Sequence, residues 1–243
     1  MASKCVVASV ILFSGLGVGS AFASPSKESV SLTKVQMDAI ESTAKEAGID
    51  KAELTKEVKE QELKAKMLNS ESEPKKLDYE EIEKYRKPGT DSKFDALATS
   101  SSVGTEGDVL ATMDSSSSKG IFNYGHAAIV RWDDNYTIEA YPNGGVQYKK
   151  NDWKTRYNKV RGFWVKGASL SHYDKAENYA KAQLGEPYNT GFGKWPTDRW
   201  YCSQLVWRAW YQQGFDIDDG GSVVSPADLY NNDGGALTMF YSK

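Results

Sequence analysis

Cys202 is the residue in this chain best suited to nucleophilic attack, and its neighbours say how. It opens the run Trp200-Tyr201-Cys202-Ser203-Gln204-Leu205-Val206-Trp207-Arg208-Ala209-Trp210. Leu205, Val206 and Ala209 follow it by three, four and seven residues, so the spacing predicts a helix with all four side chains on one apolar stripe. Asp198 or Thr197 is expected to cap that helix, and Gly214 to end it. A thiol in a first helical turn feels the positive end of the dipole and unpaired N–H groups. Both favour thiolate, the form that attacks carbonyls. The same pattern also fits an inert, buried cysteine, because free cysteine is among the most buried residue types.

A cysteine nucleophile needs a base, and the base needs an orienting partner. The chain has two histidines, His126 and His172. His126 follows Gly125 at the head of a small and β-branched strand; His172 sits in a polar helix start and reads as a capping group. Glu139 lies on the next strand and can accept from the imidazole, fixing its tautomer. A turn centred on Trp132-Asp133 puts Glu139 opposite His126. A turn centred on Asp134-Asn135 slides it roughly 13 Å away. The chemistry predicts the first register, or a bulge equivalent to it. Tyr188 and Tyr201 are candidate cleft-lining, substrate-binding residues, and the Cys202 N–H is placed as an oxyanion donor.

The elements that must hold these groups fall into three parts. Residues 1–23 read as a signal peptide: Lys4, an apolar run from Cys5 to Gly17, then Ala21-Phe22-Ala23. Its removal takes Cys5 with it and leaves one thiol in an oxidising compartment, which favours a reactive cysteine. The chain is expected to be secreted or held in the periplasm or cell envelope, without a membrane span once the signal is gone. One remaining cysteine and two histidines exclude a Cys/His metal site. The net charge is −3, with no basic tract, which argues against a nucleic-acid partner. No cofactor motif is present.

Residues 24–100 form a helical N-terminal arm. All seven tryptophans lie beyond residue 130, so the arm has little to bury by itself. Leu32, Val35, Ala39 and Ile40 predict one helix ended by Gly48; Asp50-x-x-Glu53 opens a second, with Leu54, Val58 and Met67 on its face; Asp78 caps a third. Ser70–Lys76 and Lys87–Asp91 read as polar breaks. Two roles remain open for the arm: a solvated spacer, or a pro-segment lying over an active site.

Residues 101–243 form the compact domain. Strands are expected at 107–112, 124–132, 136–141, 146–148 and 161–166. Helices are expected at 172–184, at the Cys202 run, and after Ser225-Pro226. Strands grouped together with helices segregated around them give an α+β fold with an antiparallel sheet.

The ordered set Gly107-Asp108-Val109, Gly125-His126-Ala127-Ala128-Ile129-Val130, Ile138-Glu139-Ala140, Gly185-Glu186-Pro187-Tyr188-Asn189 and Tyr201-Cys202-Ser203-Gln204-Leu205-Val206 resembles the NlpC-type branch of the papain-like cysteine hydrolases. The match is to its circularly permuted, YiiX-like form, in which the histidine strand precedes the cysteine helix. The resemblance spans about residues 104–232. It implies a permuted papain-like fold, Cys202 as nucleophile, His126 as base and Glu139 as the orienting group. It implies hydrolysis of amide bonds, with peptide or cell-envelope substrates as the expected partners. Two rivals share the same site: a lipid acyltransferase or thioesterase, and a non-catalytic envelope-binding module.

Overall fold

The structure is a computed structural model that describes residues 29–90, 102–115, 120–232 and 234–243. The expected signal peptide lies outside the described residues.

Six strands form one sheet: β1 (Val109–Ser115), β2 (Tyr124–Val130), β3 (Tyr136–Tyr141), β4 (Gly145–Lys150), β5 (Val160–Val165) and β6 (Leu237–Ser242). Their spatial order is β4-β3-β2-β1-β5-β6, and every neighbouring pair is antiparallel. The α+β architecture expected from the sequence is therefore observed. The last strand was not expected; it forms by pairing Leu237–Ser242 along β5 at the sheet edge. Among the described residues, four helices accompany the sheet in this domain: α4 (Trp153–Arg156), α5 (Leu170–Ala182), α6 (Cys202–Tyr211) and α7 (Pro226–Asn231).

The sheet's centre is made for a helix to lie on. Ala127, Ala128, Ile129 and Val130 of β2 are fully buried, and α6 packs against that strand and β3. Alanines in the strand let a helix carrying Leu205, Val206 and Ala209, all fully buried, come close. Trp207 and Trp210, also fully buried, anchor the outer side of α6.

Among the described residues, three helices precede the domain: α1 (Lys34–Ala47), α2 (Lys51–Ser70) and α3 (Tyr79–Lys84). Their ends follow the local sequence. Thr33 and Gln36 form a reciprocal capping box, Gly48 closes α1 at φ +68°, and the carboxylates of Asp50 and Asp78 accept from first-turn amides. The arm does not behave as a solvated spacer. Ile40, Leu54, Val58, Ala65 and Ile82 belong to the same apolar core as the sheet. Polar contacts bolt it down: Glu57 Oε1 accepts from the Ser222 and Val223 amides at 2.8 and 2.9 Å, and Lys64 Nζ meets Asp228 at 2.5 Å. The stripe deduced for the arm was partly misplaced. Val35 and Met67 are exposed, whereas Gln36 and Glu62 are buried. A polar break also proved structural: Lys87 is buried, 2.8 Å from Asp108 and 4.0 Å above the Tyr173 ring.

Candidate functional site

His126 lies on β2, and its surroundings explain its aim. Thr112 pairs with His126 but Ser115 pairs with Tyr124, so β1 carries an extra residue opposite Gly125. Such a bulge kinks the ladder and redirects the adjacent side chain. Gly125 itself has φ +87°. A Cβ there would stand 2.4 Å from Met113 Cε, 2.7 Å from Pro226 Cβ and 2.9 Å from the Thr112 carbonyl oxygen. Gly125→Ala is expected to cost about 2–5 kcal/mol, combining a left-handed backbone with overpacking. Denaturant titration should read this cost, and amidase assays a loss beyond it, because relaxation displaces His126.

Glu139 reaches His126 by a register that neither expected turn describes. Ile129 pairs with Ile138 and Val130 with Thr137. Continued along the strands, this places position 139 opposite 128, between the two alternatives. His126 and Glu139 then share a face as diagonal neighbours, a separation long side chains span. Glu139 Oε2 and His126 Nε2 are 2.8 Å apart. That leaves Nδ1 for the thiol.

Cys202 is the first residue of α6. The helix cap differs from expectation: Tyr201 is the N-cap, and Gln204 Oε1 reaches back to the Tyr201 amide at 3.1 Å. Asp198 instead pairs with Arg199 in the preceding loop. That loop is positioned by β4: the Val146 amide donates to the Glu186 carbonyl, the Trp200 amide to Pro187, and the Asn189 amide to Trp200. The Gly185–Asn189 motif therefore ties the sheet edge to the start of the cysteine helix.

The three groups polarise one another. Burial would raise the Cys202 thiol, but the His126 charge, its hydrogen bond and the Ala127 and Ser203 amides outweigh burial and bring it below the ordinary thiol value. Burial would lower the His126 imidazole; the Cys202 charge, the Cys202 hydrogen bond and Glu139 instead hold it well above its usual value. Burial opposes ionisation of Glu139 too, yet His126, Arg156 and Thr137 keep its carboxyl well below the usual carboxylate range. Such an arrangement favours a thiolate–imidazolium pair, whose protons leave as properties of the pair.

The sequence reading missed what surrounds Glu139. Tyr141 OH donates to Oε2 at 2.6 Å, the Thr137 hydroxyl and Trp153 Nε1 donate to Oε1, the latter at 3.1 Å, and Arg156 places Nη1 and Nη2 at 3.1 and 3.0 Å from the two oxygens. Thr137 and Tyr141 were findable, since strand period two puts 137, 139 and 141 on one face. Trp153 and Arg156 come from α4, a single turn with no periodic signal.

The expected cleft residues divide. Tyr188 is half-buried, its hydroxyl accepting from the Ile121 amide, and burial with the nearby Cys202 charge pushes its phenol well above the ordinary value. Tyr201 is fully buried: its hydroxyl donates to the Phe192 carbonyl at 3.1 Å and accepts from the Val224 amide at 3.2 Å. It is a strut and offers a substrate no surface. His172 caps α5, with Nδ1 3.0 Å from the Ser169 amide. Among the described residues, Asp218, Asp219 and Asp228 gather carboxylate oxygens closely enough to consider a cation. Lys64 and Lys194 already pair with them, so the cluster is an ion-pair network joining arm to domain.

The family model described as permuted papain-like amidase enzyme, YaeF/YiiX, C92 family matches residues 105–241. No curated protein matches the chain. A solved structure, that of metalloprotein yiiX from Escherichia coli O157:H7, is similar over 57% of this chain and 97% of that one, at 24% identity and a TM-score of 0.45. With most of the domain matched in the order histidine strand, then cysteine helix, the chain belongs to the permuted papain-like amidase family, a family of cysteine hydrolases that act on amide bonds.

Proposed function

We propose that this protein is an exported cysteine amidase that cleaves peptide substrates of the cell envelope, with Cys202 as nucleophile, His126 as general base and acid, and Glu139 as the group that orients the imidazole. One observation carries the reading: a buried carboxylate 2.8 Å from His126 Nε2, on an imidazole whose other nitrogen is left to a thiol held below its ordinary pKa.

The steps follow from that pair. The Cys202 thiolate attacks the amide carbonyl carbon, and charge moves to the carbonyl oxygen. The Cys202 amide, at the positive end of α6, is placed to stabilise that oxyanion. The His126 imidazolium gives its proton to the departing amine, leaving a thioester. Neutral imidazole then takes a proton from water, which attacks the thioester, and the acid product leaves with the thiol restored. Glu139 keeps Nε2 protonated throughout, so Nδ1 is the atom that exchanges the proton. Export is supported by the sequence of residues 1–23, with Lys4, an apolar run and Ala21-Phe22-Ala23.

The test is a digest of purified cell-wall material with the mature protein and with Cys202→Ala, read by mass spectrometry. We expect new peptide termini only with the unaltered protein. An unchanged digest, together with turnover of a thioester or ester lipid, would overturn the amide-and-envelope reading in favour of acyl chemistry.

A further inference from the structure

The site just described is almost closed. Cys202 is 3% exposed and His126 1%, in a protein whose substrate must reach both. The segment leading into the His126 strand, Ile121–Asn123, packs against the residues next to Cys202. Phe122 lies edge-on against Tyr201, the residue preceding the nucleophile, with ring centroids 5.7 Å apart, and against Phe192 at 5.4 Å. The Ile121 amide donates to the hydroxyl of Tyr188, whose phenol senses the charge on Cys202. Ile121 and Phe122 are themselves buried.

What keeps this segment down comes from the arm. Glu62 of α2 is 1% exposed and has no cationic partner among the contacts that hold it. Its Oε1 accepts from the Asn123 amide at 3.0 Å and its Oε2 from Asn123 Nδ2 at 3.0 Å. Gln36 of α1, also buried, donates to Glu62 Oε1 at 2.8 Å and to the Ile121 carbonyl at 3.1 Å. A carboxylate inside a core is costly unless every lone pair is used. A helix that served only to cover apolar surface would carry an aliphatic residue there. The carboxylate and the amide are spent on the backbone of that segment.

We propose that the N-terminal arm is an autoinhibitory strap: Gln36 and Glu62 clamp Ile121–Asn123 as a cover over Cys202, and the enzyme works only when that clamp is loosened. The proposal rests on the reading of Cys202 as nucleophile. Other arm contacts, among them Glu57 to the 222–223 amides, Lys64 to Asp228 and Lys87 to Asp108, lie outside the clamp and keep the arm attached while the cover moves.

The test is the rate of Cys202 alkylation by iodoacetamide in the full mature chain, with a thermal melt on each protein. Glu62→Ala is expected to label at least tenfold faster than the unaltered chain, the factor about 1.4 kcal/mol of lost hydrogen bonding produces in an opening equilibrium. Phe122→Ala, which trims the cover and leaves the clamp intact, should also label faster. Glu62→Ala/His126→Ala should lose the gain. If Glu62→Ala melts cooperatively and labels at the original rate, the strap is refuted. Where Glu62→Ala fails to fold, a folded Phe122→Ala with unaltered labelling refutes it equally. A double variant that labels as fast as Glu62→Ala leaves the strap standing and defeats the base-assisted thiolate instead.

Discussion

Replacing His126 with alanine is expected to slow amide hydrolysis by about 10²–10⁴-fold and to move the alkylation midpoint of Cys202 to higher pH. The sign follows from what holds the thiol down. Burial is the largest influence on Cys202 and acts upward; the His126 charge and hydrogen bond are the largest that act downward. Without the imidazole, burial is opposed only by the Ala127 and Ser203 amides. The midpoint should then climb to or beyond the ordinary thiol value of about 8.5. In the unaltered protein the thiolate should persist below that pH. It is lost on the acid side as the pair takes up a proton, and hydrolysis falls on the alkaline side as imidazolium, the acid for the leaving amine, disappears. Rates of iodoacetamide labelling from about pH 5 to about pH 10 would measure both proteins. The cover over the site slows both alike, so the comparison of midpoints isolates the titration. Equal midpoints would mean that the imidazole does not activate the sulfur.

Much of this site could be read in the chain because strand and helix periods are short-range rules. The stripe Cys202, Leu205, Val206, Ala209 needed only 3.6-residue geometry, and Ser225-Pro226 announced α7, whose cap bonds Asp228. What failed were features decided by two distant segments together. The β2–β3 register depends on where the turn sits, and neither turn considered was the one formed; Glu139 still met His126 because a carboxylate can bridge a diagonal. Val35 fitted the apolar period of α1 but faces solvent, while Gln36 turns inward because the Ile121 carbonyl needs a donor there. Periodicity cannot anticipate a buried polar side chain whose partner is eighty-five residues away. Tyr201 looked like a cleft residue because it adjoins Cys202; its hydroxyl is used between the loops at 192 and 224. The arm misled for a related reason. Its composition permits no core of its own, and the structure makes it part of the domain's core instead.

That same dependence on distant partners sets the second large effect, at Arg156. Glu139 is fully buried and ionised, and Arg156 is the one arginine bonded to both its oxygens. The guanidinium also donates to the Lys150 carbonyl and pairs with Asp152, so its fork is fixed before it meets Glu139. Arg156→Ala removes one of the two cations that meet Glu139 and leaves the buried set of Cys202, His126 and Glu139 with one negative charge in excess, for which a loss of about 3 kcal/mol is expected. Arg156→Lys should recover only part of it, because an ammonium cannot bond both oxygens in the fork geometry. The pH dependence gives a second readout. A carboxyl whose folded pKa is depressed contributes stability above its unfolded pKa, and that contribution is lost as pH falls through the folded value. Arg156 is among the groups that depress it. Removing Arg156 raises the folded value, so acid unfolding of Arg156→Ala should begin at higher pH than in the unaltered protein. Cys202 labelling, corrected for the fraction folded, should stay within a few-fold, since Arg156 touches Glu139 and not the thiol pair. An unchanged acid-unfolding curve would mean that His126, Tyr141, Thr137 and Trp153 suffice to hold the carboxylate, and that Arg156 is incidental to the site. A labelling loss as deep as that of His126→Ala would mean that Arg156 sets the charge on the imidazole directly.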